Sequence, residues 1–73
     1  MGRLRALSGP DLCLLLAGQG FVEVRRRGGH IVMQKRMAGS TITLSVPEED
    51  LLKMDTVLSL VRQSGLPRAL FEE

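Results

Sequence analysis

The sequence predicts a small α+β fold, in the order α-β-β-β-α, with a three-stranded antiparallel sheet packed by two helices and a short extra C-terminal helix. Leucines recur at helical spacing before residue 18, glycine turns separate three strand-like runs between residues 21 and 46, and a second amphipathic run follows. We expect one domain, residues 1–73. A chain this short buries only about 60% of its unfolded surface, so a functional site should be shallow.

The first helix is predicted over residues 10–17. Ser8 can cap it, Pro10 suits the first turn because its missing N–H costs nothing there, and Asp11 completes an acidic capping box. Gly18 or Gly20 should end it. Its leucine stripe indicates a structural helix that packs on the sheet.

The first strand alternates apolar and charged residues from residue 21 to 25. This period of two predicts that Val22 and Val24 face the core, while the charged side chains point outward: Glu23, Arg25 and Arg27. Gly28 and Gly29 then form a two-residue hairpin turn, because glycine accepts the positive φ angles of type I′ or II′ turns.

The second strand is predicted over residues 31–37 and the third over residues 41–46, with a turn at residues 38–40. In the third strand Ile42, Leu44 and Val46 should face the core, and Pro47 should end the strand because it lacks an N–H. The alternation of the second strand is less regular. Strict period two would place His30 on one face with Val32, Gln34 and Arg36.

The last third of the chain is acidic at its start, where residues 48–50 are compatible with one helical turn. The main helix is predicted from Asp55, as the N-cap, to Gln63, with Gly65 as the stop signal. Its expected buried stripe consists of Val57, Leu58, Leu60 and Val61. A short helix should follow over residues 67–72, with Leu70 and Phe71 against the core.

Charge is distributed unevenly although the net charge is only +2. Residues 1–45 carry seven Lys or Arg against two acidic residues, whereas residues 46–73 carry three against six. The first part therefore suits a polyanion. The basic residues cluster around the glycine turn, and the alternative is that they form an ordinary solvated hairpin.

Cysteine and histidine each occur once. Cys13 lies among leucines and is expected to be a buried, inert thiol. One thiol and one imidazole cannot supply the four ligands of a structural zinc site, so we expect no metal and no cofactor. The sequence shows neither a convincing signal peptide nor a membrane span, and a cytoplasmic protein is the consistent expectation.

The ordered spacing of several short motifs resembles the HicA family, which are small mRNA-cleaving toxins of toxin-antitoxin pairs. The similarity runs from about Leu7 to Phe71 and rests on Ser8-Gly9 before the first helix, Gly20-Phe21 at the first strand, Gly28-Gly29-His30 at the second, Val46-Pro47 closing the third, and Arg62-Gln63-Ser64-Gly65-Leu66 ending the last helix. The resemblance implies a fold similar to a double-stranded-RNA-binding domain, a HicB-like antitoxin as partner, a role in stress response and mRNA as substrate.

The resemblance also implies that His30 is the catalytic residue, because the family keeps its histidine in a Gly-Ser-His turn. This chain has Gly29 where the family has serine. Around His30 we expect RNA contacts from the basic residues and glycines of the hairpin: Arg25, Arg26, Arg27, Gly28, Gly29, Lys35 and Arg36. RNA supplies its own nucleophile, the 2′-hydroxyl, so a metal-independent endoribonuclease needs a base, an acid for the leaving group and cations around the phosphate. We expect His30 to be the base, with water or a nearby cation assisting departure of the leaving group.

Two other functions remain open from the sequence. The chain could be a non-catalytic RNA-binding module of the same fold, or an inactive toxin remnant that binds only its antitoxin. With only two aromatic residues, Phe21 and Phe71, both expected in the core, stacking on single-stranded bases is not favoured. Recognition of the RNA backbone and 2′-hydroxyl, with weak sequence preference, is the corresponding prediction.

Overall fold

A computed structural model describes residues 2–73; Met1, the first residue of the expected domain, lies outside them. The elements are α1 (Gly9–Ala17), β1 (Val22–Arg27), β2 (His30–Met37), β3 (Ser40–Pro47), α2 (Met54–Ser64) and a 3₁₀ helix, Arg68–Phe71. The three strands form one antiparallel sheet in the order β1-β2-β3. The predicted α-β-β-β-α order and the short C-terminal helix are confirmed.

Both helices help to cover one face of this sheet. α1 contacts all three strands and α2 contacts β3. The core between them contains the alternate side chains of β2 and β3 and the apolar stripes of the helices, including Ile31, Met33, Leu44, Val46, Leu12, Leu16, Val57 and Leu60. We call the opposite face of the sheet the open face; by strand register it carries Val22, Arg25, Arg27, His30, Val32, Gln34, Arg36, Thr41, Thr43, Ser45 and Pro47.

The start of α1 is fixed locally, as predicted. The Ser8 side chain accepts a hydrogen bond from the backbone N–H of Asp11 at 3.0 Å. Gly9 is buried, and its N–H donates to the carbonyl of Glu49 at 2.8 Å. A side chain at Gly9 would overlap the carbonyl oxygen of Pro47, so glycine here permits α1 to approach the end of β3 closely.

The predicted inward orientation of Val22 and Val24 is wrong. The two side chains are 60% and 49% exposed. β1 contains a bulge between Glu23, which pairs with Met33, and Arg25, which pairs with Val32. A bulge adds one residue to one strand and shifts the alternation of all residues beyond it.

The bulge therefore places Glu23 on the helix-covered face, although it was expected to point outward with Arg25 and Arg27. Those two arginines do lie on the open face, as predicted. The strand alternation of β3 needs no such correction, since Leu44 and Val46 are fully buried and Thr41, Thr43 and Ser45 are exposed.

The segment before α2 also differs from the prediction. Residues 48–53 are irregular, so the acidic run starts no helical turn. Lys53, not Asp55, is the N-cap residue, and Asp55 lies in the first turn, where its carboxylate accepts from the N–H of Thr56 at 3.0 Å. The end of α2 is as predicted, because Gly65 adopts the left-handed conformation at φ 71°.

Candidate active site

His30 opens β2, the central strand, and lies on the open face between one residue from each neighbouring strand. Arg27 is its partner in β1 and Pro47 is its partner in β3. The imidazole is exposed to solvent. The placement expected from strict alternation, with Val32, Gln34 and Arg36 on the same face, is confirmed by the register.

The local backbone defines which ring nitrogen of His30 is available. Nδ1 lies 3.1 Å from the carbonyl oxygen of Gly28. Since a carbonyl oxygen only accepts hydrogen bonds, Nδ1 carries the proton and donates. In the neutral imidazole the lone pair is then on Nε2. The contact with Gly28 thus leaves Nε2 as the acceptor nitrogen of the neutral ring.

The glycine turn that leads into His30 has the geometry predicted for it. Gly28 and Gly29 have φ angles of 60° and 77°, and no atom lies within 4 Å of a Cβ placed on either residue. The carbonyl of Gly29 accepts a hydrogen bond from the N–H of Glu48 at 2.7 Å. The turn is therefore surrounded by open space where side chains would be, and its backbone is hydrogen-bonded to the segment that follows β3.

Arg25 and Arg27 share the open face with His30. Arg27 is its direct cross-strand neighbour, and Arg25 pairs with Val32, two residues along β2. Arg36 is on the same face but six residues away, which corresponds to about 20 Å along an extended strand. The strand residues of the open face include no Asp or Glu, so its charge is purely cationic.

Arg26 lies on the other face of the sheet and is already engaged by two carboxylates. Its guanidinium binds Glu23 at 2.8 Å and Glu48 at 3.0 Å. The hydrogen bond to Arg26 lowers the pKa of Glu23 from its usual 4.5, and the bond to Glu23 raises the pKa of Arg26. The structure therefore separates Arg26 from the predicted cluster at His30.

Lys35 is also on the helix-covered face, opposite Ile42 of β3. Its side chain is half-buried and extends over the ring of Phe21, with Nζ 5.9 Å from the ring centroid. A cation over an aromatic face is attracted by the ring quadrupole. Of the seven residues predicted to contact RNA, the structure thus brings Arg25, Arg27 and the two glycines together with His30, but not Arg26, Lys35 or Arg36.

A hollow of about 430 Å³ adjoins His30 on the side of β3. It lies between the end of the sheet and one face of α2, and its lining consists of His30, Ser45, Pro47, Asp55, Thr56, Ser59, Leu60 and Gln63. Apart from His30, the polar members of this set were not predicted from the sequence to belong to the site. The detectable signal was the spacing of Thr56, Ser59 and Gln63, which are three and four residues apart and therefore share one helix face.

Other chemically reactive groups lie away from this region. Cys13 is buried in α1, and burial raises the pKa of its thiol from 9.0 to about 11, as expected for an inert thiol. Within residues 2–73, no three His, Cys, Asp or Glu side chains group closely enough to hold a metal ion together. In this described part of the chain, no helix is both long enough and apolar enough to cross a membrane.

Comparison with known proteins identifies one family. A family model described as the HicA toxin of bacterial toxin-antitoxin matches residues 9–66. No curated protein and no solved structure matched the chain. The matched range begins at the first residue of α1 and ends just beyond α2, so it contains the whole sheet, the turn and His30. The chain belongs to the HicA family of toxins from bacterial toxin-antitoxin pairs.

Proposed function

We propose that this toxin is an endoribonuclease that cleaves mRNA without a metal ion, with His30 as the general base. The observation that carries the proposal is the geometry at the end of β2: an exposed imidazole with Nδ1 fixed on Gly28, beside Arg27, on a face whose strand residues include no carboxylate. Membership of the HicA family supports a toxin function. The geometry around His30 supports RNA cleavage by a histidine base.

In the proposed reaction Nε2 of His30 accepts the proton of a ribose 2′-hydroxyl. The 2′-oxygen attacks the adjacent phosphorus, the bond from phosphorus to the 5′-oxygen breaks, and the products are a 2′,3′-cyclic phosphate and a 5′-hydroxyl end. The proton lost from the 2′-oxygen resides on the imidazole, and the leaving 5′-oxygen takes a proton from water. The hydroxide that remains takes the proton of the imidazolium, which returns His30 to its neutral form. Arg27 and Arg25 stabilise the negative charge that develops on the phosphoryl oxygens.

RNA binding in this proposal relies on the phosphate backbone. Arg25, Arg27 and Arg36 lie on the open face, and Arg25 and Arg27 are the two nearest to His30 along the sheet. Both phenylalanines, Phe21 and Phe71, are 1% exposed, so neither offers a stacking surface. We therefore propose that the affinity of the open face for RNA comes from its positive charge, and that this face has little preference for RNA sequence.

The test is incubation of the purified protein with RNA in the presence of EDTA, comparing the wild type with His30→Ala. We expect wild-type cleavage with cyclic phosphate ends and no cleavage by the variant, whose fold should persist because His30 is exposed. Gln19→Leu, in the loop after α1, is a control for surface substitution. Cleavage by His30→Ala at the wild-type rate would show that His30 is not the base.

A measurement of RNA binding by the same two proteins separates the two other candidate functions. A non-catalytic RNA-binding module predicts RNA binding by both forms and cleavage by neither. An inactive remnant predicts neither binding nor cleavage, with retention only of the antitoxin. The antitoxin partner we propose is a HicB-like protein, and co-expression with such a protein should relieve growth arrest caused by this chain and yield a co-purifying complex.

A further inference from the structure

We infer that the hollow between β3 and α2 is a nucleoside site that holds the ribonucleoside whose 2′-hydroxyl is activated by His30. The inference rests on the proposed function for its substrate class, and adds a binding site and a base preference. Four features of the hollow support it: its position, its volume, its charge and its hydrogen-bonding groups.

The position follows from the order of groups across the sheet. Arg27 lies on the β1 side of His30, and the hollow begins at Pro47 on the β3 side. If Arg27 binds the phosphate of a nucleotide and Nε2 of His30 contacts its 2′-hydroxyl, the base of that nucleotide lies on the side of the hollow. The RNA strand would therefore cross the end of the sheet from β1 toward α2.

The volume and shape are appropriate for one nucleoside. The hollow, of about 430 Å³, falls within the range of roughly 300–1,000 Å³ typical of small-molecule sites. Pro47 and Leu60 provide apolar surface, and the other lining groups are polar. Such a combination suits a flat base with polar edges better than it suits an aliphatic side chain.

The charge of the hollow differs from that of the neighbouring surface that carries Arg25 and Arg27. Of the described residues that line it, none is Lys or Arg, and Asp55 contributes a carboxylate. A second phosphate would be repelled here, whereas an uncharged base would not. A carboxylate accepts hydrogen bonds, and the exocyclic amino groups of adenine, cytosine and guanine can donate them. Uracil has no amino group, so we expect it to be the least favoured base.

The hydrogen-bonding groups on α2 are arranged in a defined way. Gln63 Nε2 donates to the Ser59 hydroxyl oxygen at 3.0 Å, which leaves the Ser59 proton and the Gln63 carbonyl oxygen for a ligand. One oxygen of Asp55 is held by the N–H of Thr56 at 3.0 Å. The wall of the hollow thus presents both donors and acceptors on a helix, whose backbone keeps them in fixed relative positions.

The test uses ribonucleoside 3′-monophosphates, which contain the proposed nucleoside and phosphate but no bond to cleave. Titration of the four nucleotides into ¹⁵N-labelled protein should shift the amide signals of Thr56, Ser59 and Gln63 together with those of Arg27 and His30. The dissociation constant should be largest for the uridine nucleotide. Signal changes confined to Arg25, Arg27 and His30 would overturn the inference and indicate binding of phosphate alone.

Variants of the wall provide a second measurement. Removing the hydrogen bonds with Ser59→Val and Gln63→Leu should weaken binding about fivefold per bond lost and reduce the difference between bases. Gln19→Leu is the matched control, since Gln19 does not line the hollow. Because a valine in α2 could affect folding, Gln63→Leu is also measured as a single variant. Affinity and base preference equal to those of the wild type, in the single variant and in the variant with both substitutions, would also overturn the inference.

The outcomes keep this inference separate from the proposed ribonuclease. If the wild type cleaves RNA but the wall variants keep the same distribution of bases at the cleavage site, the hollow is not a nucleoside site and His30 remains the base. If nucleotides bind in the hollow but no RNA is cleaved, the site is supported and the ribonuclease is contradicted.

Discussion

The backbone N–H of Glu48 donates to the carbonyl of Gly29 at 2.7 Å, and this bond joins the chain that leaves β3 to the turn that leads into His30. The Glu48 side chain adds a second connection, because its carboxylate binds Arg26 of β1 at 3.0 Å. Arg26 in turn binds Glu23. The end of the hairpin that carries His30 is thus supported from the opposite face of the sheet.

Replacing Glu23 with Gln should change the acid stability of the protein. The bond to Arg26 lowers the pKa of Glu23 in the folded state below 4.5, so its contribution to stability is present above that pH and is lost as the pH falls through the folded value. The variant should lack this acid-dependent loss. Unfolding by urea, measured at several pH values between neutral and acidic, checks it, and identical pH profiles for the two proteins would contradict it.

Arginine substitutions should separate the two faces of the sheet. In a His30→Ala background, Arg27→Gln should lower the slope of log affinity against log salt concentration by about 0.7, the value for one phosphate contact on a single strand. Arg26→Gln should leave that slope unchanged, because its guanidinium is already paired with Glu23 and Glu48. Fluorescence anisotropy with labelled RNA between about 50 and 200 mM salt measures both slopes. Equal slope changes would contradict the assignment of the two faces.

Gly9→Ala should destabilise the protein and reduce cleavage. The added methyl group would overlap the carbonyl of Pro47, the residue paired with His30, and overpacking of this kind costs about 1–3 kcal/mol. Gly18→Ala is the matched control, since its Cβ would meet only ordinary contacts, the nearest atom being 3.4 Å away. Thermal unfolding followed by circular dichroism should show a lower midpoint for Gly9→Ala than for Gly18→Ala.

Gly29→Ser introduces the serine that the resemblance to HicA toxins implies for this turn, at a position with φ 77°. The open surroundings admit the side chain, but left-handed backbone costs a residue with a Cβ roughly 1–2 kcal/mol. Gly28→Ser, at φ 60°, should lower the stability of the protein by a similar amount, but its hydroxyl is one residue farther from His30 along the chain. We expect faster RNA cleavage from Gly29→Ser than from Gly28→Ser. Equal rates at equal stability would show that the serine hydroxyl has no role in the turn.

Cys13 should react with thiol reagents only when the protein unfolds. Burial raises its pKa from 9.0 to about 11, so the thiolate is scarce in the native state at about pH 8. Because the folded pKa is the higher one, the stability associated with this thiol is present below pH 9.0 and decreases as the pH rises toward 11. Labelling followed by mass spectrometry, with and without denaturant, checks the prediction; rapid native labelling would contradict it.

The sequence by itself determined the elements whose signals are local. Ser8 caps α1, Gly65 ends α2 and two glycines make the hairpin turn, because each of these depends on the conformation of a few neighbouring residues. The alternation of β3 predicted its buried face for the same reason. The turn also placed His30 at the start of β2, where Arg27 is its cross-strand neighbour.

Only the tertiary structure decided which face each residue of β1 occupies. A bulge depends on how one strand pairs with the next, so alternation within residues 22–27 could not reveal that Glu23 and Arg26 share a face. The acidic segment after β3 likewise stays irregular, with Glu48 bound to Gly29 and Arg26 rather than forming a helical turn. The hollow beside His30 exists because α2 packs against β3, which brings Ser59 and Gln63 close to a histidine about thirty residues earlier in the chain. Contacts between distant segments fix these features, and no local pattern in a single sequence records them.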